Sequence, residues 1–162
     1  MLQLRLHTVV KVLKVRVGES TKRFTVGLHY CTPRGKWYAY SWKGDEQKSG
    51  GLLMNIGIHF LDMLLWVFGP VQSTRSVLGK THASGDLELE RASVAWRFSI
   101  QPDVATSRCV IVDGRVVDFT DGFETLHRAV HEQILAGHGL TAKDALPSIE
   151  LVERIKREAV VE

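Results

Sequence analysis

Three polar side chains interrupt the most apolar stretch of the chain, GGLLMNIGIHFLD at residues 50–62: Asn55, His59 and Asp62. On a helix they stand at i, i+4 and i+7, on one face and about 5 to 6 Å apart in turn. Their neighbours are Leu, Ile, Met, Phe and Trp, so each costs free energy to bury unless it is hydrogen-bonded or opens onto a cavity. An imidazole that titrates near neutral pH, beside a carboxylate that fixes its tautomer, suits general acid–base catalysis. The same spacing equally describes a satisfied polar seam inside a core. Zinc is poorly served, because His59 and Asp62 supply two ligands and no nearby HxxxH or Cys pair completes a tetrahedron; no metal is expected. Gly57, beside the stripe, leaves space for a close approach at about 1 kcal/mol of helix propensity.

Immediately upstream, residues 32–51 (TPRGKWYAYSWKGDEQKSGG) combine Lys36, Lys43 and Lys48 with Trp37, Tyr38, Tyr40 and Trp42. A loop of this length is usually functional or disordered, and so many large aromatics argue that it is ordered on something. Lysines supply point charges, aromatic faces stack on sugars or bases, and amides beside Ser49-Gly50-Gly51 at a helix start attract anions. Loop and stripe together describe a site for an anionic, hydroxyl-rich ligand.

The elements that must hold these residues follow from periodicity. LQLRLH (2–7) alternates like a strand, VVKVLKVRV suits a short helix with outward lysines, and TVGLHYC (25–31) a strand. A helix is expected from about Leu52 to Phe68, stopped by Gly69-Pro70. Strands follow over 71–78, 87–90, 92–100 and 108–112, the last turning at Asp113-Gly114 into 115–119. Two more helices complete the chain: 123–136, with Leu126, Val130 and Ile134 on one face, and a last one that Pro147 opens in its first turn, with Leu151 and Ile155 inward. Consecutive strands on short turns predict an α+β fold, a mostly antiparallel, mixed open sheet with helices packed on one face. At 162 residues a single domain over 1–162 is expected.

Composition narrows the function further. Formal charge is +3 with basic residues scattered, which favours an anionic small ligand over nucleic acid, since a nucleic-acid footprint needs spatial focus. Residues 52–68 approach the length of a membrane span, but a buried Asp costs about 2.5 to 3.5 kcal/mol at a bilayer centre, so no membrane helix is expected. Cys31 and Cys109 lie far apart without CxxC spacing, and MLQLRLH lacks a secretory h-region; reduced thiols in a cytoplasmic protein are expected. No GxGxxG or GxxxxGK[ST] loop appears, so no dinucleotide cradle is expected in this chain.

The stretch GGLLMNIGIHFLD resembles the GG-x-L-x-D-x-G-x-H-x-x-D segment of the glucose-fructose oxidoreductase and inositol dehydrogenase family. RGKWYAYSWKGDEQKSGGLLMNIGIHFLDMLLWVFGP is similar to the branch that oxidises the C3 hydroxyl of UDP-N-acetylglucosaminuronic acid in bacterial surface-polysaccharide synthesis. LQLRLH at the start and DALPSIELVERIK at the end extend that likeness. The resemblance implies the C-terminal, substrate-binding and oligomerising domain alone, with the NAD-binding Rossmann domain missing from this chain. It implies NAD in the full-length enzyme and none bound here, a UDP-sugar acid as substrate, a homo-oligomer formed through the sheet face, and a bacterial cytoplasmic location. His59 maps on the family's proton-transferring histidine, which works with a lysine of a Glu-Lys-Pro motif in the other half. Asn55 stands where the wider family has Asp, so it is assigned to a sugar hydroxyl, with Asp62 supporting. Lys43, Lys48 and Arg34 are candidates for the substrate's carboxylate and diphosphate, and Trp42 and Tyr38 for stacking.

Overall fold

Alternate burial along the strands decides which face of the sheet is covered. A computed structural model of the chain describes residues 3–117 and 123–162. Seven strands, β1 (Phe24–Cys31), β2 (Val71–Leu78), β3 (His82–Leu89), β4 (Ala92–Ser99), β5 (Ser107–Val112), β6 (Arg115–Val117) and β7 (Val160–Val161), form one sheet in the order β6-β5-β1-β4-β3-β2-β7. β1–β4 and β2–β7 pair in parallel and all other neighbours antiparallel, which is the mixed, mostly antiparallel sheet expected. The helices are α1 (Thr8–Glu19), α2 (Trp37–Tyr40), α3 (Glu46–Ser49), α4 (Ile58–Phe68), α5 (Phe123–Leu135) and α6 (Ala142–Glu158).

Side chains on successive strand residues point to opposite faces. Phe24, Val26 and Leu28 of β1 therefore lie in register beside Ala92, Val94 and Trp96 of β4, all buried. Over them pack Val10, Leu13 and Val17 of α1, Leu61, Leu64 and Phe68 of α4, and Leu151, Val152 and Ile155 of α6. Burying each large side chain contributes about 1.5 to 3 kcal/mol. The intervening residues Thr25, His29, Ala95, Arg97 and Asp86 stay exposed on the opposite face.

Several elements differ from the sequence expectation. LQLRLH does not extend: Gln3–Leu6 form a 3-10 turn, with Leu4 in the core and Arg5 drawn to Asp62. β3 starts at His82, five residues before the expected Leu87, because Ser84-Gly85-Asp86 carries low β propensity yet pairs fully with β4. Ile134 is half exposed and leaves Leu126 and Val130 to seat α5. Pro147 lies inside α6, which starts at Ala142 behind a Thr141–Asp144 capping box. Proline has no N–H to donate, and nearby carbonyls accept from side chains: Asp144 O from Arg5 Nη2 at 2.8 Å and Ala145 O from Ser148 Oγ at 2.8 Å.

The Asp113-Gly114 turn forms as read, both residues in the left-handed region (φ 51° and 76°) that a two-residue hairpin of this type requires. Asp113 accepts from Lys22 Nζ at 2.7 Å and Thr25 N–H at 3.1 Å, tying the hairpin to the start of β1. The final part of the strand expected over 115–119 lies outside the described residues, as does Leu2 of the first one.

Candidate active site

The stretch that opens the chemistry is a helix with a widened first part. Leu53–Gly57 form a π turn that passes without a break into α4; such insertions recur at functional sites. The helix then stops at Gly69, whose positive φ (89°) and N–H to Leu65 O at 3.0 Å close it. Gly57 is buried, and a Cβ there would meet Leu53 Cδ2 at 3.1 Å and the Phe98 ring at 3.3 Å. The close approach it allows is therefore to the sheet.

Asn55, Ile56, His59 and Phe60 face a cavity of about 680 Å³. Its floor is the end of the β1–β5 pair, His29 and Tyr30 opposite Cys109 and Arg108. The 3-10 turn adds Gln3 and Leu4, and the 32–51 segment contributes Arg34, Trp37, Tyr38 and Lys43. That segment, read from sequence as a loop, folds into α2, a 3-10 turn at Trp42–Gly44, and α3. Buried Tyr38 pins it, while its backbone carbonyl accepts from Ser41 Oγ at 2.8 Å. Arg34 is placed by the backbone beyond β1, where Thr32 N–H bonds Ser99 O and Arg34 N–H bonds Ile100 O.

Polar contacts lock the wall. Asn55 Nδ2 donates to Lys43 O at 3.2 Å, joining the π turn to the segment that faces it. Ser49 Oγ donates to the same carbonyl at 3.1 Å and accepts from Gly51 N–H at 3.1 Å. Arg34 Nε is sequestered from solvent and has no hydrogen-bond partner among the described residues. Arg108 Nε donates to Thr32 Oγ1 at 3.2 Å, with its guanidinium 5.7 Å from the centre of the Tyr30 ring. Tyr30 in turn packs on Phe60, centroids 4.8 Å apart. Arg34, Lys43 and Arg108 line the cavity together with His29 and His59, and no Asp or Glu does among the described residues. Such a lining raises the local concentration of anions.

Not every residue singled out by sequence reaches this place. Asp62 is turned away: only 1% exposed, it accepts from Arg5 Nη2 at 2.6 Å and Nε at 2.9 Å. The single polar face expected for Asn55, His59 and Asp62 thus holds for the first two, because Asp62 points toward the N-terminal turn. Lys48 pairs with Asp45 at 3.1 Å outside the cavity. Trp42 also lies outside, beneath the ammonium of Lys43, while Trp37 takes the wall position. The Ser49-Gly50-Gly51 amides are no anion cradle: Ser49 occupies one, and a Cβ on Gly51 would meet Glu46 Oε1 at 3.2 Å. Arg108, His29 and Tyr30 were invisible to spacing, since only the β1–β5 register brings Tyr30 opposite Arg108. The same pairing brings Cys31 and Cys109, distant in sequence, onto adjacent strands; both are free thiols, and burial pushes the Cys31 thiol up.

An open mixed sheet with helices on one face defines an α/β domain, and it sets a histidine–amide pair on one helix against a basic cavity. The chain belongs to the glucose-fructose oxidoreductase, inositol dehydrogenase and MocA family, matching over residues 20–99 the description "Oxidoreductase family, C-terminal alpha/beta domain". It is similar to the WlbA (WbpB) dehydrogenase of Thermus thermophilus. In that enzyme's complex with NAD and UDP-GlcNAcA the identity is 40% and the TM-score 0.88, covering 99% of this chain and 55% of that one. In its complex with NAD and alpha-ketoglutarate they are 43% and 0.86, covering 92% and 52%. The WlbA dehydrogenase of Bordetella pertussis shares the fold at 17% identity and a TM-score of 0.75, covering 98% and 59%. The chain thus spans about half the length of these solved relatives.

Proposed function

We propose that this chain is the substrate-binding half of an NAD-dependent dehydrogenase that oxidises the C3 hydroxyl of a UDP-sugar acid, UDP-N-acetylglucosaminuronic acid, in bacterial surface-polysaccharide synthesis. The observation that carries this reading is the cavity itself: His59 and Asn55 on one wall, with Arg34, Lys43 and Arg108 around it and no carboxylate among the described residues that line it. A sugar ring needs a proton-transfer group and a hydroxyl partner, and a carboxylate plus a diphosphate need cations. The relative 40% identical over nearly the whole chain, in complex with NAD and UDP-GlcNAcA, supports the same substrate class.

His59 receives the hydroxyl proton as the C3 hydride departs, and Asn55 holds a neighbouring hydroxyl, its amide oriented by the bond to Lys43 O. NAD does not fit this chain's own residues: no glycine-rich turn of dinucleotide type follows a strand, and Gly137-His138-Gly139-Leu140-Thr141-Ala142, which has the spacing, joins two helices. The cofactor, which supplies the hydride acceptor, belongs on a Rossmann half. The chain by itself, given the UDP-sugar acid and NAD, is expected to form no NADH. Covalently joined to a Rossmann half it should do so, and His59→Asn should then lower kcat by about 10²- to 10⁴-fold. Turnover that survives His59→Asn unchanged would sink the assignment.

In the same reading, two copies associate through the exposed sheet face. At its centre that face carries small and polar residues, Thr25 paired with Ser93 and Gly27 with Ala95, with Arg97 and Asp86 around them. Sedimentation should give a dimer or larger, and Ala95→Arg, placed in the middle of the face, should yield monomers. The cytoplasm, where Cys31 and Cys109 remain thiols, is the compartment this function requires.

A further inference from the structure

Among the described residues, Arg34, Lys43 and Arg108 are the Lys and Arg side chains at the cavity, and they differ in how they are held. Lys43 is an exposed ammonium on the 3-10 turn, 5.9 Å from the centre of the Trp42 ring, and Arg34 enters from the irregular backbone after β1. Arg108, also exposed, stands on a strand. Thr32 Oγ1 takes its Nε at 3.2 Å, and the Tyr30 face lies under its guanidinium. The ring contact and the single bond at Nε restrain the group, and among the described residues no hydrogen bond engages its terminal nitrogens, which can donate in parallel. That fork matches a planar carboxylate in two-point contact, which a lysine cannot do.

We propose that Arg108 is the specificity residue for the sugar acid, reading its carboxylate and so separating the uronate from the neutral sugar nucleotide; this rests on the substrate class proposed above. The placement follows from the packing order. Arg108 lies on Tyr30, Tyr30 on Phe60, and Phe60 follows His59 on the same helix. Strand and helix are thus fastened through one aromatic pair, and Arg108 is held at a set offset from the histidine. A carboxylate joined to the sugar ring by one carbon–carbon bond is the rigid anion of the substrate, carried by the ring that His59 addresses. The diphosphate is tetrahedral and hangs on rotatable bonds, so point charges such as Lys43 serve it adequately.

Calorimetric titration of the chain with UDP-N-acetylglucosaminuronate, UDP-N-acetylglucosamine and UDP tests this. The unaltered chain should bind the uronate about tenfold or more tightly than the neutral sugar, the size of a charge-assisted pair. Arg108→Met, which keeps an apolar contact with Tyr30, should bring the ratio to within about twofold of unity, leaving the neutral sugar and UDP at their original Kd. Arg108→Lys should retain only part of the preference, and Thr32→Val should shrink it although the charge is intact. A ratio unchanged in Arg108→Met overturns the proposal and leaves the substrate class standing. So does an equal loss for uronate, neutral sugar and UDP, which would place Arg108 on the diphosphate. Binding of none of the three by the unaltered chain overturns both.

Discussion

Asp62 is held by Arg5, 57 residues earlier in the sequence, through two hydrogen bonds of 2.6 and 2.9 Å to the two carboxylate oxygens. With Asp62 1% and Arg5 14% exposed, the pair is nearly dry. Arg5 also reaches Asp144 O at the head of α6. One guanidinium thus joins the N-terminal turn, α4 and α6, and it places Gln3 and Leu4 at the cavity edge.

Cutting that pair on one side should therefore be costly. Arg5→Ala leaves an uncompensated buried carboxylate and should lower unfolding free energy by about 3 to 5 kcal/mol, whereas Arg5→Met with Asp62→Leu should cost much less than the sum of single changes. Urea unfolding of the unaltered chain, Arg5→Ala, Arg5→Met, Asp62→Leu and the double variant checks this, and additive losses would contradict it.

Gly57→Ala sets two effects against each other. Alanine recovers about 1 kcal/mol of helix propensity, but its Cβ meets Leu53 and Phe98, both core residues with little room to move. Overpacking of this kind costs about 1 to 3 kcal/mol, so a net loss is expected, and Gly57→Val should lose more. A rise in thermal midpoint for Gly57→Ala would show that the π turn yields.

The two loop tryptophans should behave differently toward ligand. Trp37 lines the cavity and sits edge-on to Tyr38 at 5.6 Å, while Trp42 is outside it. Trp37→Ala should weaken binding of the UDP-sugar acid by about 1 kcal/mol, the size of one lost aromatic contact; Trp42→Ala should leave it unaltered. Titration calorimetry of both variants decides, and the reverse order would relocate the stacking surface.

Acid should loosen α6 in a way that depends on Asp144. The Thr141 hydroxyl, and then the Thr141 backbone N–H, hold this carboxyl below its ordinary value of 3.8. A depressed folded pKa stabilises fully above the unfolded value and is lost as pH falls through the lower folded one. The thermal midpoint of the unaltered chain should thus fall on acidification below about pH 4, with a shallower fall in Asp144→Asn. Equal slopes would remove Asp144 from the acid response.

What the sequence determined by itself is the local and the periodic. Alternation in TVGLHYC, the Asp113-Gly114 turn and the Gly69-Pro70 stop each depend on residues a few positions apart, and each forms. Nearness of Asn55 to His59 is of the same kind. Tertiary structure decided what crosses long stretches of chain. The direction of Asp62 depends on Arg5, the cavity wall chose Trp37 rather than Trp42, and Arg108 gained its place only when β5 paired with β1 opposite Tyr30. Helical spacing gives positions around one axis, but a π turn alters that spacing, and a partner from elsewhere in the fold selects which side a charge must face. Long-range pairing of strands is set by the packing of the whole sheet against its helices, and no local pattern in residues 107–112 encodes it.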